Sequence, residues 1–203
     1  SGVAALMLEA NPLLGARDVQ EILALAARTV DLTATNWQTN GANTWNGGGL
    51  TWSYDHGSGL IDAHAAVRLA ETWFVDDLFG LGAGTAATFG NEATASGSAS
   101  PGAAIPDNSE VGLSSTITIG DDILIDQVEV HLEITHTFIG DLTVELISPS
   151  GTSAFLLNRA YLGNPSENNI DYTFSSTFFW GEQSAGAWTL IVHDLGPTDT
   201  GTL

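Results

Sequence analysis

The chain has 203 residues, with 24 acidic side chains against four basic ones and no lysine or cysteine, for a formal net charge of −20. So few cations argue against nucleic acid as a partner and against adsorption to an anionic membrane, since both need a cationic face. No apolar run approaches the roughly 18 residues of a spanning helix. At 43% hydrophobic and 14% charged residues, this is a folded protein of about one to two domains rather than a disordered polyanion. The absence of cysteine removes disulfides, thiol nucleophiles and thiolate metal sites. The wealth of small residues, 23 of them glycine, and the acidic surface suggest an exported protein.

Residues 1–74 are patterned as helices. The run Ser1-Gly2-Val3-Ala4-Ala5-Leu6-Met7-Leu8 has no start methionine and no basic stretch before it, so no signal peptide is visible. It reads as the middle of a buried helix, as in a chain that begins partway through a larger protein. This helix stops at Asn11-Pro12, because the residue before proline is pushed out of the helical region. A second helix is predicted over residues 16–28, where Val19, Ile22, Leu23 and Ala26 recur at helical spacing and Arg17, Gln20 and Glu21 lie off that stripe. Residues 35–55, rich in Trp, Asn and Gly, read as loop with a short strand near 50–54. A third helix covers residues 61–73. From 75 to 104 the composition shifts to Gly, Ala, Ser and Thr, the mark of a linker with room for a short strand.

After Ile105 the period becomes two. Val128, Val130, Leu132 and Ile134 alternate with Glu129, His131, Glu133 and Thr135, as in a strand with one buried face. Leu142, Val144 and Leu146 repeat the pattern, as do Trp188, Leu190 and Val192. Further strands are predicted over 115–119, 153–158, 172–174 and 177–180. Turn signals separate them at Ile139-Gly140-Asp141, Ser148-Pro149-Ser150-Gly151 and Ser184-Ala185-Gly186. Many short strands so spaced mean a β-sandwich or jelly roll, and an α+β chain overall.

Several stretches carry a resemblance. Residues 1–74 resemble the end of the catalytic domain of subtilisin/kexin-like serine proteases, through the opening run continued by Glu9-Ala10-Asn11-Pro12, through Arg17-Asp18-Val19-Gln20-Glu21-Ile22-Leu23, and through Gly57-Ser58-Gly59-Leu60-Ile61-Asp62-Ala63. Residues 105–203 resemble the P domain (P/Homo B domain) that follows the catalytic domain in kexins, furins and bacterial relatives. That match lies in Ile134-Thr135-His136-Thr137-Phe138-Ile139-Gly140-Asp141-Leu142, Ser148-Pro149-Ser150-Gly151-Thr152, Trp180-Gly181-Glu182 and Gly186-Ala187-Trp188-Thr189-Leu190.

The resemblance implies three segments: the C-terminal helices of a subtilisin-like α/β domain (1–74), a linker (75–104) and a β-jelly-roll P domain (105–203). It implies a secreted serine endopeptidase working through a Ser-His-Asp triad, with the P domain stabilising the catalytic domain. The nucleophile of the family's Gly-Thr-Ser-x-Ala-x-Pro segment would lie shortly before Ser1, and the histidine and aspartate further upstream. These residues alone are therefore expected to be inactive. The partners implied are the remainder of the catalytic domain and a protein or peptide substrate. The family's P domain also continues beyond Gly201-Thr202-Leu203 into a final strand with a tryptophan. The rival reading is a jelly-roll binding module that tethers the protease to a substrate or partner, which an exposed aromatic stripe on one sheet would favour.

Gly151-Thr152-Ser153-Ala154 imitates a nucleophile motif, but it leaves a turn and enters an apolar β pattern, whereas the chemistry needs a helix N-terminus with a histidine beside it. Ser1 is expected inside its helix rather than at the start. The five histidines are expected to offer no zinc site: His56 and His64, eight apart, and His131 and His136, five apart, lack i, i+4 helical geometry, and no cysteine assists. His136 has the apolar parity of its strand and reads as a buried, hydrogen-bonded histidine. His64 reads as structural. Glu129, His131 and Glu133 share an outward face at about 6–7 Å spacing, which would suit glycoside hydrolysis, but alternating polar residues are the default of a solvated sheet face, and they are read as that. Trp180 and Trp188 read as core, and Trp37, Trp45 and Trp52 as loop anchors.

Calcium is the ion that fits so many hard oxygen ligands. The carboxylates to weigh are Asp107, Asp121 and Asp122 with Asp126, Asp141, and Asp194 with Asp199. None has EF-hand spacing. The first and last strands of a jelly roll are often neighbours, so loops at one end can gather Asp107, Asp194 and Asp199. The resemblance adds that some bacterial relatives bind calcium in this domain.

Overall fold

The computed structural model describes residues 1–31, 33, 36–43, 48–73, 93–159 and 168–203. Trp45 and most of the expected linker, residues 75–92, lie outside the described residues. The chain divides into two compact units, Ser1–Thr94 and Ala95–Leu203.

The first unit holds α1 (Gly2–Ala10), α2 (Ala16–Leu25), α3 (Ala63–Glu71) and a two-stranded ladder of β1 (Gln38–Thr39) and β2 (Thr51–Trp52). α1 ends where proline forces it to, with Asn11 in extended backbone. The Asn11 amide then donates to the carbonyls of Ala70 (3.0 Å) and Trp73 (3.4 Å), fastening the end of α1 to the end of α3. Ser1 is the N-cap residue of α1 and not, as expected, inside it. α2 stops three residues short of the expected end. Arg28 instead exchanges backbone hydrogen bonds with Leu60 (2.8 and 2.9 Å), which demands extended geometry.

Asp62 caps α3, accepting from the Ala65 N–H (3.0 Å) and lying 3.3 Å from the Arg28 guanidinium. The Ala65 bond first, and Arg28 after it, hold its carboxyl below the usual carboxylate range. Met7, Ile22, Ala66 and Ala70 form the buried centre of this unit, the alanines of α3 letting the other helices approach closely. Asp18 is buried beside them, accepting from the Gly15 N–H (2.7 Å) and from Nε1 of Trp73 (3.0 Å).

The second unit is antiparallel throughout. Its strands are β3 (Ala104–Ile105), β4 (Leu113–Ile119), β5 (Val128–His136), β6 (Leu142–Ile147), β7 (Ser153–Asn158), β8 (Ile170–Ser176), β9 (Gly186–Asp194) and β10 (Gly201–Thr202). They form two four-stranded sheets, ordered β3-β10-β5-β8 and β4-β9-β6-β7. The alternating runs point inward as their periodicity demands. Ile105, Leu132, Ile134 and Ile170 of one sheet meet Leu142, Val144 and Val192 of the other in a shared core. Burying each such side chain contributes about 1.5–3 kcal/mol before chain entropy is subtracted. β10 slots between β3 and β5 through Gly201, where a Cβ would run into the Thr135 carbonyl and the His136 ring.

One expected strand is absent. Residues 177–180 turn instead, with the Trp180 N–H on Thr177 O (3.1 Å) and the Glu182 N–H on Phe179 O (3.0 Å). β8 has already finished at Ser176, opposite the first residue of β5. The turn drives Phe179 into a second apolar cluster, edge-on to Trp188 at 5.2 Å. Taken together, the described structure is β-rich and poor in helix, with three short α-helices, all in the first unit, and a 3-10 turn at Ile139–Asp141 in the second.

Candidate functional site

The end of the sandwich where β5, β9 and β10 meet holds a buried pair. His136 closes β5 on the inward parity, and Asp194 closes β9; both side chains are fully shielded from solvent. Nε2 of His136 lies 3.1 Å from Oδ2 of Asp194, and Nδ1 lies 2.8 Å from the Phe138 carbonyl. Oδ1 of Asp194 accepts from the Gly196 N–H (3.2 Å). The Leu195 N–H bonds the Asp141 carbonyl (3.0 Å), and a Cβ at Gly196 would force the Asp141 carboxylate to move. Arg159 approaches that carboxylate at 3.4 Å. A histidine with an aspartate behind it is two-thirds of a triad. Here both ring nitrogens are engaged, which leaves none for a serine.

The structure brings Asp107 and Asp199 to the same loop. Oδ2 of Asp107 accepts from the Thr198 N–H (3.2 Å), and Oδ1 of Asp199 accepts from the Thr137 hydroxyl (2.7 Å). Asp194 is separated from them by its role: it faces inward to His136, with both oxygens spent. Asp121, Asp122 and Asp126 occupy the segment leading into β5, and a hydroxyl bond from Ser184 to the Asp121 carbonyl (2.7 Å) pins that segment.

A second polar network was not legible from residue spacing. Glu182 is buried, and its carboxylate accepts from the hydroxyls of Ser150 (2.7 Å) and Thr152. Ser148 closes the turn with Thr152, donating its N–H to Thr152 O (2.9 Å) while its hydroxyl accepts from the Thr152 N–H (3.2 Å). The motif stretches Ser148–Thr152 and Trp180–Glu182 are thus one another's partners. A lone carboxylate beside the apolar run 177–180, with a hydroxyl-rich turn elsewhere in the chain, was the available signal. Ser153 opens β7 and bonds the Glu145 carboxylate across the ladder, so Gly151-Thr152-Ser153-Ala154 is a strand entry.

Glu129, His131 and Glu133 share the exposed face of β5, as their parity requires. Glu129 accepts from the Gln127 amide (3.3 Å), while His131 turns toward Glu133 and toward Asp171 of β8. His56 stacks on Trp37 (5.7 Å between ring centres), whose Nε1 donates to the Val30 carbonyl (3.0 Å). His64, in the first turn of α3, lines a shallow apolar groove with Leu6, Ala10 and Val67. Trp52 and Trp188 are buried, and Nε1 of Trp188 donates to the Ser184 carbonyl (2.8 Å).

Comparison with known proteins places this geometry. The family model described as the proprotein convertase P-domain matches residues 125–203. Proprotein convertase subtilisin/kexin type 6 of Rattus norvegicus is 33% identical over 201 residues, covering 96% of this chain and 20% of the relative. The type 4 convertase of Homo sapiens is 30% identical over 211 residues, covering all of this chain and 25% of the relative. The chain thus spans a quarter or less of the length of these relatives. Among solved structures, the serine protease of Aeromonas sobria in complex with the chaperone ORF2 superposes with a TM-score of 0.71 at 25% identity, covering 96% of this chain and 36% of that one. The structure of the Aeromonas sobria serine protease by itself gives a TM-score of 0.70 at 24% identity, and shares the fold.

Proposed function

Since the chain belongs to the subtilisin/kexin-like proteases, its residues 125–203 being a P-domain of the proprotein convertase type, we propose that it serves as the C-terminal supporting part of a secreted serine endopeptidase. The observation that carries this reading is one likeness to convertases that covers 96% of the chain and runs through both compact units. The first unit supports it physically. Leu6 is 50% exposed and Leu13 69% exposed, with Leu60 and Ile61 also open to solvent, and the remainder of a catalytic domain would give such side chains a partner layer. Numbered within its own unit, the sandwich runs 1-8-3-6 in one sheet and 2-7-4-5 in the other, an order that supports the jelly-roll reading. Trp188 lies in its core, which favours a stabilising role over an aromatic binding platform.

Calcium belongs to the same proposal on a reduced ligand set. Asp194 does not fit, because His136 and Gly196 use both of its oxygens. Asp107 and Asp199 fit better: each has one oxygen in a hydrogen bond, and they flank one loop. Calcium needs six to eight oxygens, so backbone and water would complete the shell.

The test is a pair of full-length proteases with residues 95–203 present or deleted, assayed for peptide hydrolysis and thermal inactivation. Deletion should lower the inactivation temperature and cut the yield of active enzyme. Equal stability of the two would overturn the supporting role. Chelation should lower the melting point of the full-length form, and Asp107→Ala should abolish that sensitivity. Identical melting in calcium and chelator would remove the ion and leave the P-domain reading standing.

A further inference from the structure

We propose that His131, Glu133 and Asp171 form a binding site for a first-row divalent cation, zinc above all, on the outer face of the second unit. The β5–β8 register builds it. His131 and Glu133 are outward neighbours at two-residue spacing, Asp171 stands directly opposite Glu133, and Thr173 stands opposite His131. Nε2 of His131 lies 3.4 Å from Oε1 of Glu133 and 3.6 Å from Oδ1 of Asp171. One donor atom from each of the three comes within 4.8 Å of the other two, the one such set of His and carboxylate donors among the described residues.

Nε2 of His131 hydrogen-bonds Oε1 of Glu133 when it carries the ring proton, and with the proton on Nδ1 the same spacings suit ligands around an ion. Tetrahedral zinc with bonds of about 2.0–2.1 Å holds its ligand atoms roughly 3.3–3.4 Å apart. The imidazole is oriented for this by its other nitrogen, since Nδ1 lies 3.2 Å from the Thr173 hydroxyl. When Nδ1 carries the proton toward Thr173, Nε2 presents a lone pair to two carboxylates, and three electron-rich atoms converge with no positive charge between them. A cation at their centre satisfies all three. The Thr173 hydroxyl would take the orienting part that a carboxylate, a carbonyl or water usually plays for a histidine ligand. The nitrogen donor selects zinc, nickel or copper over calcium or magnesium, which separates this site from the carboxylate loop at Asp107 and Asp199. Three protein ligands leave a fourth position open to water or to a donor from another molecule. The overall charge of −20 favours any cation, and Arg28, Arg68 and Arg159 are paired with Asp62, Glu71 and Asp141.

The experiment is a zinc titration of the full chain, stripped of metal beforehand, followed by calorimetry and repeated with cobalt, whose absorption reports coordination number. One equivalent should bind saturably, with cobalt bands of a four-coordinate site. His131→Ala and Asp171→Asn should each weaken binding by tenfold or more, and Thr173→Val by about tenfold through loss of the outer-shell bond. His64→Ala, in the other unit, should change nothing. All four positions are solvent-facing or tolerant of truncation, and circular dichroism verifies that each variant is folded. Absence of saturable uptake would overturn the proposal, as would equal uptake by His131→Ala and Asp171→Asn.

Discussion

The two units solve the burial problem in different ways. The sandwich brings its own second layer: Leu142, Val144 and Val192 from one sheet meet Leu132 and Ile134 from the other, and all are buried. The helical unit buries Met7, Ile22, Ala66 and Ala70 yet leaves Leu6, Leu13, Leu60 and Ile61 open. Its apolar stripes are only half matched. Val19, Ile22 and Leu23 do find a partner, because α3 offers its alanines to them. The lesson is that a patterned helix is no measure of self-sufficiency; what counts is whether the same unit supplies a facing surface.

The sharpest way to break this contrast is to separate the units. Residues 95–203 expressed alone should unfold in one cooperative thermal transition. Residues 1–94 alone should melt without one and bind a hydrophobic dye, and a cooperative transition in that segment would end the comparison. Next in size is truncation of equivalent side chains. Leu142→Ala should cost about 2–5 kcal/mol in denaturant unfolding, since it opens a cavity in a closed core. Leu6→Ala, half-exposed, should fall within about 0.5 kcal/mol.

A smaller effect tests the polar interior of the sandwich. Asp194→Ala leaves His136 buried without its partner and frees the Gly196 N–H, and should cost about 1–3 kcal/mol whether or not calcium is present. Stability that becomes insensitive to calcium in this variant would instead return Asp194 to the metal. The smallest effect belongs to the helical unit. The carboxyl of Asp62 is held below its ordinary range in the folded state, so its stabilisation is present above the unfolded value and is lost as pH falls through the folded one. Acid unfolding of Asp62→Asn should lack that component, and superimposable acid profiles would show that the cap contributes nothing.

Much of this structure could be read from consecutive residues. The break at Asn11-Pro12, the inward parity of Val128 to Ile134, the strand 153–158 and the burial of His136 all follow from local rules of backbone sterics and period. Other features could not. The apolar run 177–180 has a strand's composition but folds as a turn, because β8 has no partner left beyond Ser176. The shortened α2 obeys a bond from Arg28 to Leu60, a residue far along the chain.

Periodicity is a property of neighbours in sequence, and so, the run 177–180 and the end of α2 apart, the sequence by itself determined which segments are helix or strand and which side of each is apolar. The tertiary structure alone decided which carboxylate meets which donor. Asp194 went to His136, Glu182 to the 148–152 turn, and Asp171 to the side of His131. The physical reason is register and the turns it positions: pairing of strands distant in sequence sets these distances, and a one-residue slip of β8 or β9 would send Asp171 or Asp194 to the opposite face.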